Sequence, residues 1–379
     1  MRILIAGAGI AGMTLAALLE RRGLDVKVIE RASNFEHAGY MLGLWPLGYR
    51  VLHGLGLYED FADLSIPANY YAVRDNHGEL IHQWSMDPIS SRFGPNLSCT
   101  RPQLVKLLHS ALCETHVHFD TTLTNARQYE HHVEATMSDG TSEAFDLLVG
   151  ADGAHSRVRE LFFGEQPKFD TGWGGWVWWA DRRSVPAKTY VEHWGIGRFL
   201  GAYPTTDGVG VFAGAPVGDR FEKDGSGRQE RVRARMANMG ELAHRLMQSM
   251  PDDETKLFFW RLDDVRSNEW TRGRVVLLGD AAASLLPTAG IGASMAMESA
   301  AVLADELGRT DVHYLEHALS LFVKRRRKRV EDVQSDSRRL ARAMFIESPT
   351  LGRLRDLATR FYSLEGLAGS IAKAFDQPI

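Results

Sequence analysis

The stretch "RILIAGAGIAGMTLAALLERRGLDVKVIE", residues 2–30, decides how this chain is read. Residues 2–6 read as a buried strand, with four apolar side chains after Arg2. Residues 11–22 carry apolar side chains at helical spacing, and 25–30 read as a second strand. Together they make a βαβ unit. Its turn holds Gly7, Gly9 and Gly12 as G-x-G-x-x-G. Glu30 ends the second strand about 20 residues on, where a dinucleotide-binding fingerprint has its acid. Gly7 would make the tight turn, Gly9 would let the backbone approach a pyrophosphate, and Gly12 would let helix and strand pack closely. Ala8, Ile10 and Ala11 complete the loop, and the helix N-terminus adds N–H groups and partial positive charge. Glu30 would accept hydrogen bonds from a ribose hydroxyl. The bland alternative is a glycine-rich turn with no ligand, and the flanking strand and helix weigh against it. The early Arg and the apolar run also outline a signal peptide. The glycines and the continuation into a second strand speak against one.

The chain has 379 residues, which leads us to expect two domains. Hydrophobic residues make up 44% and charged residues 24%, ordinary for a soluble globular protein. A net charge of −4 gives no overall pull toward nucleic acid or an anionic membrane. Cys99 and Cys113 are too few for a disulfide framework or a zinc site, which suits a reducing cytoplasm. No uninterrupted apolar run of about 18 residues suggests a membrane span.

Short strand patterns follow at 70–75 and 78–85, a helix at 101–114, and a hairpin around "SDGT". From 166 to 270 the chain is rich in Trp and β-type runs, with helical spacing only near 227–250. Residues 272–280 return to the buried-strand style of the N-terminus, and 290–379 read as helix. We therefore expect a discontinuous nucleotide domain (1–69, 96–165, 271–310), an inserted, mainly antiparallel sheet domain (70–95, 166–270) and C-terminal helices (311–379). The basic run 323–332 reads as the solvated face of a helix.

Two further strands end in an acid within a turn of small residues: "LLVGADGAHSRVRE" (147–160) and "RVVLLGDAAASLLPTAGIGASMAMESA" (274–300). With "AGAGIAG", "GADGAHSRVR" and "GDAA…P…G.G" resemble the three spaced motifs of group A, p-hydroxybenzoate hydroxylase-like flavoprotein monooxygenases, over about residues 1–345. The resemblance implies an α/β fold: a Rossmann-like FAD domain with an inserted antiparallel sheet domain. It implies non-covalent FAD, NADH or NADPH as electron donor, and oxygen transfer from a flavin C4a-(hydro)peroxide that hydroxylates or epoxidises a small aromatic or polycyclic molecule. By the same resemblance Glu30 takes the adenosine ribose with Arg31 beside it. Arg101 reaches the pyrophosphate and ribityl region, Asp152 bridges toward the donor path with Ser156 and Arg159 bracing its turn, and Asp280 holds the ribityl chain.

Physical chemistry supports the placement of the last loop. A reduced flavin carries negative charge, and Gly290, Ile291, Gly292 and Ala293 would offer backbone N–H groups at a helix N-terminus. Pro287 fixes the loop and donates nothing. The family often has His, Gln and Asn where this chain has Ala283, Ile291 and Ser294. Those changes remove side-chain hydrogen bonds and leave the backbone donors, so FAD binding is expected to survive and no base is assigned at 283.

For the substrate we expect Tyr203, in "GAYP", as a hydrogen-bonding, catalytic partner. Met41, Trp45 and Thr288 would line the pocket beside the flavin. Trp176 and Trp178 share one strand face, Val177 and Trp179 the other, and the tryptophan pair is expected to face the cavity. His37 and His193 are candidate bases, although lone histidines are more often structural. Other readings are a flavin dehydrogenase or oxidase without oxygen insertion, a flavin-dependent halogenase, and an FAD-holding protein without turnover. "GWVWWADR" resembles the halogenase Trp-x-Trp-x-Ile-Pro motif, but Ala180-Asp181 replaces Ile-Pro. A monomer or homodimer is expected, with a small aromatic substrate and O2 as the partners.

Overall fold

The computed structural model describes residues 1–35, 39–218 and 227–362. His37 and the last part of the expected C-terminal helices lie outside them.

The opening segment folds as Arg2–Ala6, the helix Ile10–Glu20 and Asp25–Ile29. Arg2–Ala6 is central to a six-stranded sheet. It pairs in parallel with Asp25–Ile29 on one side and Leu147–Gly150 on the other, and Leu147–Gly150 pairs in parallel with Val275–Leu277. Ile3–Ala6, Leu147–Gly150 and Val275–Leu277 are buried on both faces and read as continuous apolar runs rather than alternating ones. The glycine loop after Arg2–Ala6 and the acid-bearing turns after Leu147–Gly150 and Val275–Leu277 follow three neighbouring parallel strands, so they gather at the C-terminal edge of one sheet. That is where open α/β sheets bind ligands.

A seven-stranded sheet is built from 70–85 and 168–265. Its order runs Phe258–Val265, Lys168–Ala180, Val209–Pro216, Phe199–Pro204, Thr189–Trp194, Tyr70–Arg74, Leu80–Ser85. All its pairings are antiparallel except that of Thr189–Trp194 with Tyr70–Arg74. The helical spacing near 227–250 resolves into two helices, Arg228–Arg235 and Gly240–Gln248. The break is steric. Asn238 and Gly240 take φ of 62° and 87°, and a Cβ on Gly240 would lie 2.8 Å from the His77 carbonyl oxygen.

The C-terminal part of the described chain is Gly292–Leu307, the 30-residue helix Leu315–Met344, and Pro349–Thr359. The basic run lies on the long helix, and only part of it is solvated. Arg326 and Arg329 are buried, bound to the fully buried Glu298 at 2.5 and 2.8 Å. No helix among the described residues is long and apolar enough to cross a membrane.

Candidate active site

A cavity of about 1400 Å³ runs from the glycine loop to the seven-stranded sheet. It exceeds the usual size of a small-molecule pocket. The glycines of the loop divide by what surrounds them. A Cβ on Gly7 (φ 106°) would lie 2.4 Å from the Ala151 oxygen, and one on Gly12 would lie 1.9 Å from the Gly7 oxygen. Both are demanded by neighbouring backbone. Around Gly9 the nearest neighbour of such an atom is the Arg101 guanidinium at 3.6 Å, so its backbone is open to the cavity. Gly9 is also the N-cap of its helix with no side-chain cap. Glu30 accepts from the Ala8 N–H at 2.8 Å and the Ala32 N–H at 2.9 Å. A carboxylate has about four acceptor positions, so capacity remains for a ribose.

Arg101 opens the helix Arg101–His109, which Thr100 and Gln103 close with a capping box. Its own N–H donates to the Tyr40 carbonyl at 3.0 Å, and its side chain lines the cavity. Asp280 sits in the turn Gly279–Ala281 at the end of its strand. Its carboxyl is open to the cavity yet enclosed by protein, and that desolvation pushes it up to about 6 against the pull of Arg101. Tyr40 joins this pair, raised by burial with Arg101 opposing.

Next, Pro287–Ala289 forms a short turn and Gly290 takes φ 57° before the helix Gly292–Leu307. A Cβ on Gly290 or Gly292 would meet nothing within 4 Å, so bare backbone faces open space. Pro287, Thr288, Ile291 and Ala293 line the same wall. Ser294, one of the departures from the family pattern, is buried and accepts from the Trp45 N–H at 3.0 Å. The Trp45 indole donates to the Gly290 oxygen at 3.1 Å. Thr288 donates its hydroxyl to the Ser337 carbonyl at 2.8 Å, which spends that proton on the long helix.

Asp152, Arg31 and Arg157 line the cavity from the nucleotide side. Asp152 accepts from the Ser156 hydroxyl at 2.5 Å and from the N–H groups of Arg157 and Val158 at 2.7 and 3.1 Å. It therefore takes the first two N–H groups of the helix Arg157–Phe163, whose N-cap is Ser156. Burial raises its carboxyl, and these bonds oppose the shift.

The sheet wall corrects one expectation. Trp176 and Trp178 turn away from the cavity into a second core, against Val232, Met236, Ala243 and Leu246 of the paired helices. The Trp178 indole donates to the Leu246 oxygen at 3.1 Å. Strand parity decides this: Val177 stands between them on the opposite face and lines the cavity. His193 is likewise buried on the far side from its cavity-lining neighbour Glu192, and its imidazole is lowered to about 4, first by burial and then by Arg74. It is not a base at this site.

Tyr203 does line the cavity, and it is part of a cluster. Its hydroxyl donates to Glu192 Oε1 at 2.7 Å. Tyr71 donates to Glu192 Oε2 at 2.5 Å, and the Trp194 indole donates to the same oxygen at 2.7 Å. Burial raises the Glu192 carboxyl, and the three donors pull the other way. Beside them Tyr190 donates to Asn96 Oδ1 at 2.7 Å. Glycines make the room: a Cβ on Gly201 would lie 2.4 Å from the Tyr203 oxygen, and one on Gly210 would lie 2.6 Å from Met41 Cγ. Glu192, Tyr71, Tyr190 and Tyr40 escaped the sequence reading. Alternation in "TYVEHW" puts Tyr190, Glu192 and Trp194 on one face, and an acid between aromatics there was the available signal.

The family model for an FAD binding domain matches residues 1–337. The chain is 33% identical over 316 residues to 3-amino-4-hydroxybenzoate 2-monooxygenase of Streptomyces cremeus, covering 80% of this chain and 77% of that one. It is 29% identical over 317 residues to an FAD-dependent urate hydroxylase of Mycolicibacterium vanbaalenii, covering 80% and 78%. In fold it resembles Klebsiella pneumoniae HpxO complexed with FAD and uric acid (TM-score 0.89, 24% identity, 99% of this chain and 96% of that one). It also resembles Pseudomonas aeruginosa PqsL in complex with 2-aminobenzoylacetate (TM-score 0.78, 23% identity, 100% of each chain). The open glycine loop, the Asp280 carboxyl and the bare 290–292 backbone leave the kind of cradle that FAD requires. The chain is an FAD-binding protein and belongs to the p-hydroxybenzoate hydroxylase-like, group A flavoprotein monooxygenase family.

Proposed function

We propose that this protein is an FAD-dependent monooxygenase that uses NADH or NADPH and O2 to hydroxylate a small aromatic ring. The observation that carries the reading is the continuity of one cavity. It runs from the dinucleotide cradle to an aromatic wall on the second sheet. Bound FAD supplies electron acceptance from the donor and activation of O2. The residues supply the rest. The N–H groups around Gly9 and the Arg101 guanidinium would hold the pyrophosphate. Glu30 would accept from the adenosine ribose, and Asp280 would accept from the ribityl hydroxyls. The N–H groups at the start of the helix Gly292–Leu307 would offer donors to the ring system and to the negative charge it gains on reduction. Val177, Phe212, Met41 and Trp45 exclude water around the substrate, and Tyr203 orients it. The urate hydroxylase and aminohydroxybenzoate monooxygenase among its relatives support an aromatic substrate.

The test is NAD(P)H oxidation by the FAD-loaded protein with a panel of phenols and aminophenols under 18O2. Label in the product is expected. Turnover that leaves the product unlabelled would instead indicate a dehydrogenase or oxidase.

A further inference from the structure

The wall formed by Tyr71, Glu192 and Tyr203 has an unusual polarity. Each tyrosine hydroxyl has donated its only proton to Glu192. Tyr190 has donated its proton to Asn96. All three oxygens therefore have only lone pairs left to offer. Burial raises all three phenols well above their ordinary range, so they stay neutral and acceptor-like rather than becoming phenolates. The carboxylate behind them adds negative potential in a poorly solvated place.

Positive charge lies elsewhere. Among the described residues that line the cavity, Arg31, Arg101 and Arg157 stand on the nucleotide side. Lys168, Arg228 and Arg261 stand by the strand Phe258–Val265, where Arg228 covers the Phe259 ring and Lys168 faces Asp263 at 3.5 Å. That strand is four positions from the Glu192 strand in the sheet order, roughly 19 Å at the usual strand spacing. A substrate carboxylate at the Glu192 end would meet acceptors and a like charge, with no cation to pair with. An amino, hydroxyl or ring N–H group would meet three acceptors.

We propose that the Tyr71–Glu192–Tyr203 wall selects an aromatic ring that presents hydrogen-bond donors and discriminates against a ring carrying a carboxylate. This rests on the reading of the cavity as the site of an aromatic substrate beside FAD. It makes Glu192 a specificity residue that acts through two tyrosines.

A matched pair of probes tests it: 2-aminophenol and its carboxylated counterpart, 3-amino-4-hydroxybenzoate. Each is titrated into the FAD-loaded protein near neutral pH, and the flavin absorbance shift is read as a Kd without turnover. We expect 2-aminophenol to bind at least about tenfold more tightly, and Glu192→Gln to narrow that gap to within about threefold. Tyr203→Phe, which removes one acceptor and keeps the carboxylate, should weaken 2-aminophenol about three- to tenfold. It gives an independent reading if Glu192→Gln fails to fold. Equal or tighter binding of the carboxylated ring overturns the proposal, as does a gap that neither variant changes or the absence of any shift with 2-aminophenol. Selective binding without 18O uptake would sink the monooxygenase reading and leave this one standing.

Discussion

Arg159 donates to the Ala281 carbonyl at 2.9 Å and to the Ala154 carbonyl at 2.5 Å. One buried guanidinium thereby ties the turn after Leu147–Gly150 to the turn that carries Asp280. The two acidic turns are held as one unit, and the position of Asp280 depends on a residue more than a hundred positions earlier. Arg159→Ala should leave both carbonyls without their charged donor. We expect a loss of about 1–3 kcal/mol in urea unfolding and reduced flavin occupancy as purified. Arg159→Lys should recover only part of it, because an ammonium cannot reproduce the fork geometry.

Asp280→Ala should strip FAD from the purified protein, read as the ratio of flavin to protein absorbance. Full occupancy with loss of activity alone would show that Asp280 is no anchor. A pH signature accompanies this. Burial raises the folded-state carboxyl from its ordinary 3.8 to about 6, so the folded apoprotein holds this proton more tightly than the unfolded chain does. The contribution of Asp280 to apoprotein stability is therefore greatest at low pH. It is lost as pH rises from about 4 through about 6 and is constant above that. Thermal melts of the apoprotein should show this trend relative to Asp280→Asn, which cannot titrate.

The facing of the aromatic strand is checked by two substitutions one residue apart. Trp178→Phe lies in the second core and loses an indole hydrogen bond, so it should cost about 1–3 kcal/mol and leave substrate KM unchanged. Val177→Trp points into the cavity and should raise KM or block binding, with FAD retained. The opposite pattern would mean that the strand faces the other way.

Gly201→Ala addresses the Tyr203 position without touching its chemistry. The added methyl would lie 2.4 Å from the tyrosine oxygen, so the ring must move off Glu192. We expect flavin occupancy near that of the parent and a KM at least several-fold higher, approaching the effect of Tyr203→Phe.

Glu298→Ala should be the most damaging change remote from the cavity. Its carboxylate is fully buried and takes Arg326 and Arg329 at 2.5 and 2.8 Å. Removing it strands two buried cations, at a cost of about 3–5 kcal/mol in urea unfolding.

Much of the architecture was legible from residues close in sequence. Gly7, Gly9, Gly12 and Glu30 announce the βαβ unit because turn sterics and strand length act over a few residues. Asp152 and Asp280 could be placed at strand ends for the same reason. The loop 287–293 could be read as bare backbone because glycine and proline have few conformations open to them. Strand parity also showed that Trp176 and Trp178 share a face, but not which face, since both sides of that strand are apolar and both are covered. Only the packing of Arg228–Arg235 and Gly240–Gln248 on one side settled that the tryptophans are core and Val177 is wall. The Glu192 cluster was out of reach in the same way. Tyr71, Glu192 and Tyr203 come from three strands, and nothing local makes one phenol donate to a carboxylate 121 positions away. Sequence determines where backbone can bend and which faces are apolar, because those preferences are short-range. Which buried polar groups meet, and therefore what the cavity can recognise, is decided only when strands distant in sequence pair in register.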